Sequence, residues 1–227
     1  MEYFTDNDTD TQGTLFRDEV AKEIIVSFRG TSTPADLETD LAFNLVPLNG
    51  PGTQCQGCKV HPSWILTSLC IDGDLTRWQV HRGFQTSFAA VGSAMAATIK
   101  AEVASHSDYA VIVTGHSLGG GIAAVATSSF ITQGISVSSV YTYGEPRNGD
   151  AAWAKYISDR IPDNRYFRVT NYNDGVPQIP PPVLGYVHHG KEFWLSKESD
   201  NTASTTLDCG IESTVSLSSS GIPDLAR

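Results

Sequence analysis

The residues Gly115-His116-Ser117-Leu118-Gly119 fit the pattern G-x-S-x-G, which presents a nucleophilic serine in enzymes that cleave esters. The motif directly follows the continuous apolar run from Tyr109 to Thr114, which predicts a buried strand, and a helical pattern begins at Leu118. A sharp turn from strand to helix would expose Ser117 Oγ at the carboxyl edge of a sheet, and glycines on both sides permit such a tight backbone. The motif therefore predicts acyl transfer through Ser117. The alternative is an ordinary glycine-rich turn.

A serine hydroxyl is a weak nucleophile unless a base takes its proton, and with this motif an acid and then a histidine are expected later in the chain. The histidines after Ser117 are His188 and His189, and spacing alone does not choose between them. The acids that follow are Glu145, Asp150, Asp159, Asp163, Asp174 and Glu192. Asp174 is favoured because it lies just beyond a predicted strand, where a site at the carboxyl edge draws its residues. An ordinary role in an Asx turn is the alternative for Asp174.

An acyl-transfer site also needs hydrogen-bond donors for the oxyanion that forms on the substrate. The N–H group of Leu118 is the first candidate, since it follows the nucleophile and opens a helix whose N-terminal end favours negative charge. Thr31 is the second candidate by its position after the predicted strand that ends near Phe28. The alternative for Thr31 is a plain turn residue.

The elements that must position these side chains alternate between strand and helix. Strands are predicted at 23–28, 109–114, 137–143 and 165–170, and helices at 34–41, 84–106, 118–133 and 149–161. The helix at 34–41 has Thr33 as its N-cap, Pro34 in its first position and Asp36 in its first turn. This alternation predicts one α/β domain with a mainly parallel sheet. From Leu195 onward the sequence is rich in Ser and Thr and predicts loop.

Charge and hydropathy exclude several classes of protein. The 227 residues carry a formal net charge of -10, which argues against a nucleic-acid partner and against an electrostatic anchor on anionic lipid. No apolar run approaches the length of a transmembrane segment, and the N-terminus lacks the apolar region of a secretory signal.

The cysteines indicate a disulfide more than a metal. Cys55 and Cys58 form a C-x-x-C, but the second pair of ligands that a zinc site requires is missing, so no metal is expected. A small disulfide between them, as in a secreted protein, is the preferred interpretation, and a redox dithiol is the alternative. The glycosylation sequon at residues 7–9 agrees with secretion.

Six motifs in order resemble the fungal class 3 lipases. They are SFRGT at 27–31, HRGF at 81–84, VTGHSLGG at 113–120, YTYGEPR at 141–147, NDGVPQIPP at 173–181 and GYVHHGKEFW at 185–194. The resemblance runs from about Thr14 to Asp208. It implies an α/β-hydrolase fold, with a mainly parallel central sheet, helices on both faces and a short helical lid. That family includes triacylglycerol lipases and type A feruloyl esterases, and neither needs a cofactor.

The resemblance also implies roles for individual residues. Ser117 would be the nucleophile and Asp174 the acid, with Thr31 and Leu118 as the oxyanion hole. His188 would be the base, because the family pattern Tyr-x-His-x-x-x-Glu-aromatic-Trp matches residues 186–194. The lid would include Thr33, Pro34, Asp36, Leu37 and Leu41.

Substrate choice depends on the lid and on two pocket positions. The lid, with three acids beside Leu37 and Leu41, is polar and resembles that of the feruloyl esterases. However, Phe43 and Gln85 stand where those esterases have tyrosines that line the phenol pocket, so partners for a phenolic group are missing. We therefore expect a secreted, monomeric lipase that acts on acyl glycerol esters at a lipid–water interface. A feruloyl esterase is the alternative, and an inactive or misfolded gene product is the alternative of another class.

The domain departs from the family in three places. Residues 1–227 are expected to form one class 3 lipase-like domain that is truncated at both ends. Within it, Val-His occurs at residues 60–61 and again at 80–81, and removal of residues 60–79 restores the family run as CKVHRGF. Residues 60–79 are therefore predicted to be an insertion. A retained intron is one hypothesis for its origin, and a natural surface loop, which costs little stability, is the other.

Overall fold

The computed structural model describes residues 1–30, 43–48, 78–162 and 164–211. The strands in these residues are β1 (Glu2–Asp6), β2 (Thr11–Asp18), β3 (Glu23–Phe28), β4 (Leu45–Pro47), β5 (Gln79–His81), β6 (Ala110–His116), β7 (Val137–Tyr143), β8 (Tyr166–Asn171), β9 (Lys191–Leu195) and β10 (Thr206–Ile211). The α-helices are α1 (Arg82–Ser105), α2 (Leu118–Thr132) and α3 (Ala151–Arg160). Short 3-10 helices span Val176–Gln178, Pro182–Leu184 and Ala203–Thr205.

Eight strands form one sheet in the order β1-β2-β3-β6-β7-β8-β9-β10. The pairs from β3 through β9 are parallel, whereas β1, β2 and β10 add antiparallel strands at the two sides. Among the described strands, β10 is the last on its side of the sheet, and it carries a bulge between Asp208 and Gly210. The prediction of a mainly parallel sheet is confirmed, and β6, which leads into Ser117, lies near its centre.

The core lies between one face of the sheet and the helices. In β3, burial alternates along the strand, so that Ile24, Val26 and Phe28 are buried on the helix side. Both α1 and α2 contact the sheet there. The indole N–H of Trp153 in α3 donates to Ser128 Oγ of α2 at 3.3 Å, so α3 lies on the same side. In the part of the chain that the structure describes, all three α-helices therefore cover one face, although helices were expected on both.

The opposite face of the sheet presents aromatic side chains. Tyr141 stacks on Phe167 with ring centroids 4.9 Å apart, and Phe167 lies 5.6 Å from Phe193. Tyr141 and Tyr143 are exposed. Within the described residues, no helix has the length and hydropathy needed to cross a bilayer.

The predicted insertion and the predicted disulfide lie mostly outside the described residues. Trp78 and Gln79, the last residues of the predicted insertion at 60–79, are described and form part of the fold. Strand β5 pairs with β4, the Trp78 ring lies 3.7 Å from that of Tyr156, and the carbonyl of Gln79 accepts from Asp150 N–H at 2.9 Å. Cys55 and Cys58 lie outside the described residues. Cys209 on β10 is a free, exposed cysteine.

Candidate active site

Ser117 occupies a sharp turn between β6 and α2. Its φ of 55° and ψ of -124° are unusual for a residue with a side chain, and such strained backbone clusters at functional sites. The N–H of Ser117 donates to Tyr143 O at 2.8 Å, which ties the turn to the end of the neighbouring strand β7. The predicted strand-to-helix elbow is therefore present, with Ser117 at the carboxyl edge of the sheet.

Glycines allow three backbone segments to meet at this elbow. A Cβ on Gly115 would lie 2.1 Å from Gly119 O, and a Cβ on Gly119 would lie 2.2 Å from Phe28 O. A Cβ on Gly30 would lie 2.6 Å from His116 O. These distances are far below any real Cβ contact, so the end of β3 can approach the elbow only because these positions lack side chains.

Of the two predicted oxyanion donors, Leu118 lies at the elbow and Thr31 lies outside the described residues. Leu118 is the first residue of α2, so its N–H is one of the donors that a helix leaves without an intrahelical acceptor. Thr31 lies outside the described residues, as do the lid positions Thr33, Pro34, Asp36, Leu37 and Leu41. The chain up to Gly30 contacts the elbow.

Asp174 lies on the same edge of the sheet, three residues after β8 ends at Asn171. Its Oδ1 accepts from Val176 N–H at 2.9 Å, so the Asx-turn role is real. Its Oδ2 lies 2.8 Å from where a Cβ on Gly144 would be, and His116 Nε2 lies 3.8 Å from the same point. Since Gly144 follows β7 directly, the structure brings Asp174 to the elbow as predicted from sequence.

His188, the expected base, contacts the loop that follows Asp174. His188 is buried, and its Nε2 lies 2.8 Å from the carbonyl oxygen of Pro177. Burial and the guanidinium groups of Arg168 and Arg147 hold the pKa of His188 well below its usual value. Among the described residues, no hydrogen bond joins His188 or His189 to Ser117 or Asp174. The role of base expected for His188 therefore stays a prediction.

A buried polar cluster beneath the elbow was not assigned a role from the sequence. Its centre is Glu145, which accepts from the hydroxyls of Thr142 and Tyr166 and from the amide of Asn148. Burial raises the pKa of Glu145 to about 7, although the positive charge of Arg168 opposes the rise. A Cβ on Gly120 would lie 3.4 Å from Glu145, so the cluster supports the start of α2.

His189 belongs to this cluster and not to the reacting groups. Its Nε2 lies 3.4 Å from Glu145 Oε1, which is long for a hydrogen bond. Burial and the charge of Arg168 hold the pKa of His189 well below its usual value. The position of Glu145 within YTYGEPR was the only signal in the sequence, and a carboxylate in a motif does not reveal that it is buried.

The predicted pocket positions Phe43 and Gln85 lie around the start of α1. Gln85 is buried, and its amide donates to Pro47 O at 3.1 Å, which holds the β4–β5 hairpin. Phe43 is partly buried, with its ring 6.5 Å from that of His81. His81 caps α1, because its Nδ1 accepts from the N–H groups of Gly83 and Phe84.

Comparison with known sequences points to one family. A family model described as Lipase (class 3) matches residues 25–184. The lipase of Rhizomucor miehei is 34% identical over 198 residues, which are 85% of this chain and 47% of that protein. The secreted mono- and diacylglycerol lipase A of Penicillium cyclopium is 32% identical over 198 residues, which are 87% of this chain and 56% of that protein. The chain thus spans about half the length of the curated relatives it matches.

Solved structures agree with the sequence comparison. The triacylglyceride lipase of Rhizomucor miehei superimposes with a TM-score of 0.74 at 28% identity, covering 94% of this chain and 72% of that chain. The structure of the Penicillium cyclopium enzyme superimposes with a TM-score of 0.75 at 28% identity, covering 99% of this chain and 74% of that chain. A triacylglycerol lipase whose catalytic centre is described as a serine protease triad superimposes with a TM-score of 0.71 at 28% identity. The match covers 94% of this chain and 72% of that chain. The predicted α/β-hydrolase fold is confirmed.

Proposed function

Because the chain belongs to the class 3 lipase family, we propose that it takes part in the hydrolysis of carboxylic esters of glycerol through Ser117. The observation that carries the proposal is the elbow itself. Ser117 is held at a positive φ between the central strand and a helix, with Leu118 N–H at the start of that helix. An ordinary turn would not need this strained serine or the glycines that let three segments approach it.

The proposed reaction follows from the positions of these groups. Ser117 Oγ attacks the ester carbonyl while a histidine oriented by Asp174 takes its proton, and the carbonyl oxygen becomes an oxyanion near Leu118 N–H. Among the described residues no histidine is hydrogen-bonded to Ser117 or Asp174, so the scheme requires one to approach Asp174. The C–O bond to the alcohol then breaks, and the histidine returns the proton to the departing glycerol oxygen. Water attacks the acyl-enzyme in the same way, which releases the fatty acid and restores Ser117. In this scheme Thr31 supplies the second oxyanion donor.

The choice of substrate rests on relatives and on two pocket positions. The similar Penicillium cyclopium protein is a secreted mono- and diacylglycerol lipase, and the Rhizomucor miehei structure is a triacylglyceride lipase. At Gln85 the amide is engaged by Pro47, and Phe43 offers no hydroxyl, so neither side chain favours a phenolic substrate. We propose acyl glycerols presented at a lipid–water interface as the substrate, and secretion as a monomer.

Labelling and hydrolysis test this function. Wild type and Ser117→Ala are incubated with a fluorophosphonate probe and assayed with p-nitrophenyl esters of increasing acyl length beside methyl ferulate. We expect Ser117 to be labelled in wild type only, and long-chain esters to be hydrolysed at least about 10³-fold faster than by Ser117→Ala. Turnover of methyl ferulate without activity on long acyl chains would overturn the substrate choice. Absence of both labelling and hydrolysis in folded wild type would overturn the function.

A further inference from the structure

The glycosylation sequon at residues 7–9 lies on the surface, in a hairpin turn. It is the only place in the 227 residues where asparagine is followed by a residue other than proline and then by serine or threonine. Residues 7–10 form the turn between β1 and β2, and the strands meet there with Asp6 paired to Thr11. Asn7 is exposed in this turn. An N-linked glycan is bulky and needs such a surface position.

The turn is held by Asp6 and Thr9. Asp6 Oδ1 accepts from the N–H of Thr9 at 2.9 Å and from the Thr9 hydroxyl at 2.8 Å. The same hydroxyl lies 2.8 Å from Thr11 Oγ1. A bond from the side chain to the backbone of its own turn is the usual reason for an asparagine in such a place. Here Asp6 makes that bond.

The side chain of Asn7 is free for modification. Within the residues that the structure describes, no hydrogen bond engages its amide. The other conformation that favours asparagine is a positive φ, and in this turn Asp10 adopts it, at 45°. A sugar on the amide nitrogen of Asn7 would therefore displace no hydrogen bond of the turn.

The turn lies at the carboxyl edge of the sheet, where Ser117 is presented. Strand β2 runs antiparallel to β3, so its first residues lie beside the end of β3, and Arg29 N–H donates to Gln12 O at 2.9 Å. Arg29 Nη2 also lies 3.0 Å from Asp10 Oδ2. Two strand spacings separate β2 from β6, which places the turn on the order of 10 Å to one side of the elbow. A glycan there would flank the opening of the site.

We infer that Asn7 is a site of N-linked glycosylation and carries an oligosaccharide at the edge of the sheet that presents Ser117. The donor is an oligosaccharide joined through diphosphate to a lipid. Asn7 Nδ2 bonds to C1 of the first sugar and loses a proton, while the bond from C1 to the diphosphate oxygen breaks and the lipid diphosphate leaves. The inference rests on the secretion proposed above, because this transfer occurs in the secretory pathway, and on no reaction of Ser117.

The first test measures the modification directly. The full chain, preceded by a cleavable secretion leader, is expressed in a eukaryotic host, and protein from cells and medium is treated with a peptide N-glycosidase. We expect the mass of wild type to fall on treatment, with Asn7 converted to Asp in the peptide that contains it. Asn7→Gln and Thr9→Ala should show no change, whereas Thr9→Ser keeps the hydroxyl and should behave as wild type. An unmodified Asn7 in wild-type protein whose leader has been removed would overturn the inference.

The second test determines whether Asn7 holds the turn. Wild type and Asn7→Gln are made in a bacterial host without this transferase and compared by thermal unfolding. We expect equal melting temperatures, whereas Asp6→Ala removes the acceptor of both Thr9 bonds and should lower the melting temperature. A loss in Asn7→Gln as large as in Asp6→Ala would contradict the inference that the side chain is free for modification. Ser117→Ala from the eukaryotic host should carry the same glycan, so a failure of hydrolysis would leave the glycosylation site standing.

Discussion

Relative to wild type, Glu145→Gln is expected to gain stability as the pH rises, although it removes three favourable contacts to a carboxylate. Glu145 is 1% exposed, and burial raises its pKa from 4.5 to about 7. Glutamine has the same shape and does not titrate. The hydroxyls of Thr142 and Tyr166 can accept as well as donate, so the amide finds partners in the same cavity.

The sign and size of the effect follow from proton binding. Between pH 4.5 and about 7 the folded wild type keeps a proton on Glu145 that the unfolded chain releases. Wild-type stability therefore falls as pH rises through this window and levels off above it. At 1.36 kcal/mol per pH unit, the full fall is about 3 kcal/mol.

Urea denaturation followed by circular dichroism at pH 5, 6, 7 and 8 measures the difference. The free energy of unfolding of Glu145→Gln should gain about 2–3 kcal/mol on wild type between pH 5 and 8, which corresponds to about 5–10 °C in melting temperature. The exposed Glu198→Gln makes the same change in net charge and serves as the control. Parallel curves for wild type and Glu145→Gln, or a relative loss at pH 8, would show that the attraction of the Arg168 charge outweighs the cost of burial and would refute the reasoning.

Two further substitutions test the packing of the elbow and of α3. Gly119→Ala should destabilise by about 2 kcal/mol or more, although alanine normally favours a helix, because its Cβ would lie 2.2 Å from Phe28 O. Gly175→Ala, where nothing lies within 4 Å of the new Cβ, is the control and should change the melting temperature little. The Asp150 carboxylate accepts from Trp153 N–H at 2.8 Å and so caps α3. Asp150→Ala should lower the free energy of unfolding by about 1 kcal/mol, whereas Asp150→Ser should keep most of that stability. Equal melting temperatures for Asp150→Ala and wild type would contradict the capping role.

The central strands and helices could be predicted because their pattern is local. Strands β3 and β7 have the predicted bounds, since short apolar and β-branched runs bounded by turns define them. Helix α2 begins at Leu118 as expected, directly after the elbow. Ser117 and Asp174 were found for the same reason, because each follows a strand of the parallel sheet.

The strands at the two sides of the sheet were missed for a physical reason. In β2 the buried positions are Thr11, Gly13 and Leu15, so the alternation contains only one large apolar residue. Strand β10 lies in the Ser- and Thr-rich region that predicts loop. Both are held by backbone pairing to a neighbour that the sequence alone does not identify.

The partner of His188 could not be read from the sequence either. A motif gives the residue type, but the direction of the ring depends on how residues 177–180 fold back beneath it. The carbonyl oxygens of residues 177–180 are bonded by the side chain of His188 and by the side chain and backbone N–H of Arg147, and only the tertiary structure shows these contacts. The role of base that the resemblance implied for His188 stays a prediction.

The bulge in β10 bears on how the molecule avoids self-association. An outermost strand offers unpaired N–H and C=O groups to any other chain, and bulges and charged side chains are the usual means of spoiling that template. Here the register shifts between Asp208 and Gly210, Gly210 adopts a φ of 74°, and the Asp208 carboxylate lies 3.0 Å from Lys191 Nζ. A second copy would meet an interrupted row of donors and acceptors at this edge. The exposed Cys209 lies at the same interruption.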